Sequence, residues 1–183
     1  GAERLAANIT AMSGGRLTIK VYSAGELVPA LECFGAVANG TAQMGHDAGY
    51  YHTGKSEGCA FFTAFPFGFT MGEMAAWIKH GNGQKLWDEL YAPFGLRAFQ
   101  AGSTGTQMFG WFRREIRGLA DLQGLKFRTP GNQGRVLQKL GVIPVSLPGG
   151  EIFPALQSGA IDGAEWVGPY NDLALGFYQV CRY

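Results

Sequence analysis

The segment LKFRTPG, residues 125–131, predicts a strand that ends at a proline before a glycine turn. From there to IDGAEW, residues 161–166, predicted strands alternate with predicted helices, and a glycine ends each helix. That alternation is typical of an α/β domain. In chain order the predicted elements are a strand at 125–129, a helix at 135–140, a strand at 142–145, a helix at 151–158 and a strand at 161–166.

The same alternation extends outward to both ends of the chain. Pro144 interrupts the strand at 142–145, and a proline cannot donate a ladder hydrogen bond, so this strand is predicted at a sheet edge. The periodicity of apolar residues predicts further helices at 5–12, 29–40, 74–90 and 170–178, and further strands at 17–22, 42–46, 96–101 and 107–112.

Composition excludes several classes of protein. The chain has 183 residues, with 15 Lys+Arg against 14 Asp+Glu, a formal net charge of +1. This balance argues against a protein that binds nucleic acid through bulk phosphate attraction. Aromatic residues make up 13%, too many for a disordered chain. No apolar run reaches the roughly 18 residues that a membrane span needs.

Two possible site motifs in the sequence are weak. Residues 49–56, GYYHTGKS, match the phosphate-binding pattern GxxxxGK[ST], but bulky tyrosines crowd the loop and no clear helix follows it. We therefore expect a tyrosine-lined loop rather than a nucleotide site. Cys33, Cys59 and Cys181 lack the spacing of a zinc or redox site, and we expect buried free thiols.

Three polar residues near predicted strand ends are candidate binding residues. Arg128 ends a strand and could hold a carboxylate by two parallel hydrogen bonds, although a surface or packing role fits equally well. Glu165 ends an apolar strand beside Trp166 and needs a cation, an arginine or a ligand donor; a direct pair with Arg128 is the structural alternative. Gln107 lies in a polar segment that could also be a plain crossover between lobes.

These residues carry a family resemblance. Residues 126–131 (KFRTPG) and 147–169 (LPGGEIFPALQSGAIDGAEWVGP) resemble the extracytoplasmic solute-binding proteins of tripartite ATP-independent periplasmic (TRAP) transporters. Residues 42–46 and 104–108 also fit that pattern. The resemblance is strongest to the branch that binds 2-oxo acids and lactate.

The resemblance implies a two-lobed periplasmic-binding-protein-like fold, α/β in class, with strands that cross between the lobes. On that basis residues 1–102 are expected in lobe I, residues 103–162 in lobe II, and residues 163–183 back in lobe I. Members of this family are longer, so the chain is expected to be an internal fragment, truncated at both ends.

The resemblance also implies a site. Arg128 matches the arginine that clamps the substrate carboxylate. Gln107, Glu165 and the carbonyl of Trp166 match the ligands of a sodium or calcium ion that bridges substrate and protein, and hard cations prefer such oxygen ligands. Tyr51 and Asn171 are expected among the substrate-binding residues.

The implied function is capture of a small monocarboxylate, a 2-oxo acid such as pyruvate or lactate, in the periplasm. Delivery to the TRAP membrane subunits would follow, without chemistry, and the full-length protein could form a homodimer. The alternative is an enzyme acting on a small carboxylate with Glu165 as general base, which lacks a second acid–base group at a suggestive spacing.

Overall fold

The structure is a computed structural model that describes residues 1–183, and the chain divides into two compact units, residues 1–47 and 48–183. The first unit contains helices α1 (Ala2–Met12) and α2 (Cys33–Ala38), the latter preceded by a 3-10 turn at Ala30–Glu32. The strands predicted at 17–22 and 42–46 are absent. A strand requires a hydrogen-bonded neighbour, and every strand of the chain lies in the second unit.

The second unit is α/β, as predicted. Its four strands are short, and the last three alternate with helices. The elements are α3 (Met71–His80), α4 (Gly83–Tyr91), β1 (Trp111–Phe112), β2 (Lys126–Arg128), α5 (Gly131–Gln138), β3 (Ile143–Val145), α6 (Gly149–Ser158), β4 (Gly163–Ala164) and α7 (Pro169–Asp172).

The sheet has the order β1-β4-β2-β3. The central strand β2 is parallel to both β3 and β4, whereas β1 is antiparallel to β4. Strand β3, which contains Pro144, lies at the edge as predicted. Because β2 and β4 are parallel neighbours, their carboxyl ends meet at one edge of the sheet, where ligands of open α/β sheets bind.

The helix predicted at 74–90 is two helices. A capping box between Thr70 and Glu73 starts α3 earlier than predicted, and Asn82 interrupts it in the left-handed conformation with φ 65°. Gly83 then packs closely against the backbone and ring of Trp77, where a Cβ would lie 2.9 Å from ring atoms. The segment Gly81-Asn82-Gly83 is therefore a helix–helix turn rather than a helix interior.

Other predicted elements are shorter than expected. The helix predicted at 170–178 is α7 followed by two 3-10 turns that meet at Gly176, with φ 72°. The strand predicted at 107–112 is only β1, because its single partner β4 is two residues long. The strand predicted at 96–101 is absent, although side chains there alternate between half-buried and exposed.

Two apolar clusters hold the sheet between its helices. One contains the stacked rings of Phe112 and Phe127, whose centroids lie 5.2 Å apart, together with Leu137 from α5. The other contains Ile152 and Leu156 from α6. These clusters fix the strands whose carboxyl ends carry Arg128 and Glu165.

The two weak motifs match their predictions except at Cys33, which was expected to be buried. Residues Gly49–His52 and Glu57–Phe62 form 3-10 turns, so no helix N-terminus follows the GYYHTGKS segment. All three cysteines are free; Cys59 and Cys181 are buried, whereas Cys33 is only half-buried. None of the helices is both long and apolar enough to cross a bilayer.

Candidate ligand-binding site

Arg128 and Glu165 meet at the carboxyl ends of β2 and β4. The backbone N–H of Glu165 donates to the carbonyl of Arg128 at 3.0 Å, so the two residues lie side by side on adjacent parallel strands. Both are deeply buried, with 1% and 3% of their surface exposed. The sheet therefore delivers a buried cation and a buried carboxyl group to one point.

The guanidinium of Arg128 is oriented by three hydrogen bonds. Its Nε donates to the carbonyl of Leu147 at 3.0 Å, Nη1 to the carbonyl of Glu165 at 2.7 Å, and Nη2 to the hydroxyl of Tyr51 at 2.8 Å. The guanidinium also lies 4.9 Å from the ring centroid of Trp166. Of its five N–H groups, these bonds leave one on each terminal nitrogen without an assigned acceptor, so both terminal nitrogens can still donate to a carboxylate.

Glu165 is not satisfied by Arg128. Its Oε2 lies 3.6 Å from Nη1 of Arg128, beyond a good hydrogen bond, and this buried oxygen has no hydrogen-bond partner. Burial raises the pKa of the Glu165 carboxyl to about 7, with Arg128 lowering it and the charge of Asp172 raising it further. The direct pair expected as an alternative is thus present but incomplete.

The raised pKa of Glu165 predicts an unusual pH dependence of stability in the ligand-free protein. Between pH 4.5 and about 7 the folded state holds a proton that the unfolded state has lost, so the free energy of unfolding falls as pH rises through this window. A shift from 4.5 to about 7 corresponds to about 3 kcal/mol. Urea unfolding at pH 5 and pH 8 should show this fall in the wild type and lose it in Glu165→Gln.

The matched control for that experiment is Glu151→Gln, at an exposed glutamate in the first turn of α6. It should keep the wild-type dependence on pH. If Glu165→Gln kept it as well, Glu165 would not be the group that titrates.

Gln107 and Trp166 add two more oxygen atoms. The Gln107 amide Nε2 donates to the carbonyl of Trp166 at 3.0 Å, and Thr104 Oγ1 lies 3.4 Å from the same nitrogen. Rotating the amide by 180° exchanges Nε2 and Oε1, which brings two neutral oxygens to one place. The indole of Trp166 packs over Gly149, where a Cβ would lie 2.8 Å from the ring.

This donor set fits a hard cation. It offers one buried carboxylate with an unused oxygen, one carbonyl and one amide, and no histidine or thiol. No group of three or more His, Cys, Asp or Glu gathers anywhere in the chain, so a purely acidic or zinc-type site is absent. Hard cations such as calcium accept neutral and anionic oxygens of this kind, and further oxygen ligands or waters complete their shells.

The sequence predictions divide into residues that the structure brings together and one that it does not. Arg128, Glu165, Trp166, Gln107 and Tyr51 form one connected set. Asn171 is exposed on α7 and takes part in none of these hydrogen bonds, so its role stays a prediction.

Sequence reasoning missed Asp172, which is fully buried behind the site. Its oxygens accept from Trp111 and from the backbone of Val167. The local sequence could have indicated this residue. Asp172 ends a turn that begins with a proline and precedes the apolar run Leu173-Ala174-Leu175, which makes it a candidate for a buried hydrogen-bond acceptor.

Comparison with known proteins is consistent with this geometry. The chain belongs to family 7 of the bacterial extracellular solute-binding proteins, the DctP family, whose model matches residues 1–183. It is 48% identical over 183 residues to the monocarboxylate 2-oxoacid-binding periplasmic protein of Nostoc sp. strain PCC 7120, covering 100% of this chain and 50% of the relative.

Two solved structures of TRAP periplasmic solute-binding proteins are also close. The protein of Pseudoalteromonas atlantica, with bound sodium and pyruvate, is 46% identical with a TM-score of 0.95, over 98% of this chain and 55% of that one. The protein of Colwellia psychrerythraea, with bound calcium and pyruvate, is 44% identical with a TM-score of 0.95, over 100% of this chain and 56% of that one.

The chain thus spans about half the length of these relatives. Its family is one of solute-binding proteins, not enzymes, so the general-base alternative for Glu165 is not supported. The raised pKa of Glu165 follows from the burial of a carboxyl group whose Oε2 accepts no hydrogen bond.

Proposed function

We propose that this chain contains the ligand-binding centre of a periplasmic protein that captures a small 2-oxo monocarboxylate, with pyruvate as the first candidate, together with a bridging calcium or sodium ion. Two neighbouring features carry the proposal. Arg128 keeps two N–H groups that its hydrogen bonds do not use, and the buried Oε2 of Glu165 beside it accepts no hydrogen bond. Delivery to TRAP membrane subunits is the corresponding transport role.

Each residue has a separate task in this proposal. Arg128 binds the carboxylate of the acid in its two remaining N–H groups, and Tyr51 and Leu147 hold the guanidinium in the orientation that presents them. Glu165, Gln107 and Trp166 hold the cation. A bound cation supplies a positive centre that the 2-oxo oxygen and one carboxylate oxygen of the acid can approach together.

The charges support this assignment. Arg128 and Glu165 balance each other, so adding an acid alone would leave one uncompensated negative charge in a buried place. A sodium ion added with the acid offsets the charge of the acid but leaves that of Asp172, whereas a calcium ion offsets both the acid and this second buried carboxylate.

The wider predictions remain part of this proposal. The lobe limits at 102, 103, 162 and 163 stay predictions. If they hold, Tyr51 belongs to lobe I and Arg128 to lobe II, so the hydrogen bond between them joins the lobes and would favour the closed form. Periplasmic location agrees with the name of the Nostoc relative. A homodimer of the longer protein also stays a prediction.

A thermal-shift screen of the intact protein tests the proposed function. A ligand that binds only the folded state raises the melting temperature. Pyruvate, lactate and longer 2-oxo acids should do so in the presence of calcium or sodium, and EDTA should remove the part that depends on calcium. Stabilisation by none of these acids, in a protein that melts cooperatively, would contradict the substrate class.

Gln107→Ala should weaken pyruvate binding and change its dependence on the cation. Loss of one oxygen ligand to a charged centre corresponds to about a tenfold to hundredfold loss of affinity. Isothermal titration with pyruvate at several calcium concentrations measures both effects.

The matched control is Gln123→Ala. The Gln123 amide makes the same kind of bond, to the carbonyl of Leu140 at 2.9 Å, but away from the site. This variant should bind as the wild type does. Unchanged calcium dependence in Gln107→Ala would remove Gln107 from the cation site.

A further inference from the structure

Asp172 is a buried charge that the proposed binding contacts leave unexplained. It is fully buried at the end of α7, with 0% of its surface exposed. Both of its carboxylate hydrogen bonds come from neutral donors: Trp111 Nε1–H at 2.8 Å and the backbone N–H of Val167 at 3.1 Å. Keeping a carboxylate ionised in such a place is costly without a nearby positive charge.

The bond from Val167 has a geometric consequence. The N–H of Val167 and the C=O of Trp166 belong to the same peptide unit, and the chain contains no cis peptide bond. In a planar trans peptide these two groups point in opposite directions. Asp172, by holding the N–H, therefore turns the Trp166 carbonyl away from itself and toward the Gln107 amide, 3.0 Å away.

The next peptide is fixed as well. The backbone N–H of Met108 donates to the carbonyl of Val167 at 3.0 Å, so Val167 is tied on one side to Asp172 and on the other to the segment that carries Gln107. A carboxylate acceptor also polarises the peptide that it holds, which makes the Trp166 oxygen a stronger electron donor.

The charge of Asp172 acts in addition to its geometry. Asp172 and Glu165 are two buried carboxylates against one buried cation, Arg128. The surroundings of the Trp166 carbonyl are thus net negative, and a doubly charged cation gains twice as much from that charge as a singly charged one.

We propose that Asp172 is a positioning residue that aims the Trp166 carbonyl at the cation and, through its buried charge, favours calcium over sodium at the site. This inference rests on the proposed function, because it requires a cation among Gln107, Glu165 and Trp166. It differs from that proposal in naming a residue that touches neither cation nor acid.

The test is Asp172→Asn in the intact protein, with pyruvate as the acid. The quantity measured by isothermal titration is the concentration of calcium chloride, or of sodium chloride, that gives half-maximal pyruvate binding. The half-maximal concentration should rise by a larger factor for calcium than for sodium, for example about tenfold against about threefold, because the lost charge interacts twice as strongly with a divalent ion.

Asp162→Asn is the matched control. Asp162 also accepts a backbone N–H, from Lys126 at 2.9 Å, but it precedes β4 whereas Glu165 follows it. Like Asp172→Asn, this variant removes one negative charge and one acceptor of a backbone N–H, but it does so at the end of β4 opposite to Glu165. It should leave the ratio of calcium to sodium concentrations unchanged.

Asp172→Glu separates charge from geometry and serves if Asp172→Asn does not fold. It keeps the charge but misplaces the acceptor, so both cations should bind more weakly at an unchanged ratio. Equal fold-changes for the two cations in Asp172→Asn, or a changed ratio in Asp172→Glu, would overturn the inference while leaving the proposed function intact. A wild-type protein that binds pyruvate independently of any cation would overturn both.

Discussion

Arg128→Ala is expected to reduce pyruvate affinity by at least about a hundredfold. Removing one partner of a buried, hydrogen-bonded charge pair costs about 2–5 kcal/mol, which is about thirtyfold to several thousandfold in affinity. Arg128 falls in this range because it is 1% exposed and its two remaining N–H groups are the only charged donors of the assembled site. Isothermal titration with pyruvate at saturating calcium measures the loss.

Arg128→Lys refines this prediction. Lysine keeps the charge but lacks the planar fork, so it should recover part of the affinity and none of the bidentate geometry. Arg135→Ala is the control, since Arg135 is exposed and pairs with Glu57 at 2.8 Å outside the site. Wild-type affinity in Arg128→Ala, with the fold preserved by circular dichroism, would contradict the clamp.

Glu165→Ala is expected to abolish the dependence of pyruvate binding on calcium. Glu165 is the sole carboxylate of the proposed cation ligands, and its Oε2 has no other partner. Without it the remaining ligands are neutral, and calcium-supported affinity should fall by about a hundredfold or more. The measurement is pyruvate titration with calcium and again with EDTA.

Two results separate this effect from a loss of fold. Glu165→Ala should still melt cooperatively, because the 3.6 Å contact that it removes is not a hydrogen bond and the three hydrogen bonds that hold Arg128 do not involve the Glu165 side chain. Glu151→Ala, at an exposed site on α6, should leave the calcium dependence intact. Pyruvate binding in Glu165→Ala that EDTA still weakens would place the cation elsewhere.

The sequence predicted the second unit far better than the first. Between 125 and 166 each predicted strand has its partner within the chain, and β2, β3 and β4 form close to the predicted positions. Residues 17–22 alternate as a strand should, yet Leu17 is 61% exposed and no strand forms there. Alternating apolar and polar residues indicate that one face of a segment could be buried. A strand also needs a hydrogen-bonded neighbour, and the local sequence does not determine whether one is present.

The candidate site was predictable where it follows from strand ends. Parallel strands bring Arg128 and Glu165 to one edge, and both were recognised from their positions after short apolar runs. Side-chain partners at long sequence separation were not predictable. The hydrogen bond from Arg128 to Tyr51 spans 77 positions, and that from Trp111 to Asp172 spans 61.

The sharpest test of the proposed site is a crystal structure of the intact protein grown with pyruvate and calcium. The pyruvate carboxylate should lie on the two terminal nitrogens of Arg128. An anomalous calcium peak should lie at about 2.3–2.6 Å from oxygens of Glu165, Gln107 and the Trp166 carbonyl. Pyruvate bound to Arg128 with no cation, and Glu165 still facing Arg128 alone, would contradict it.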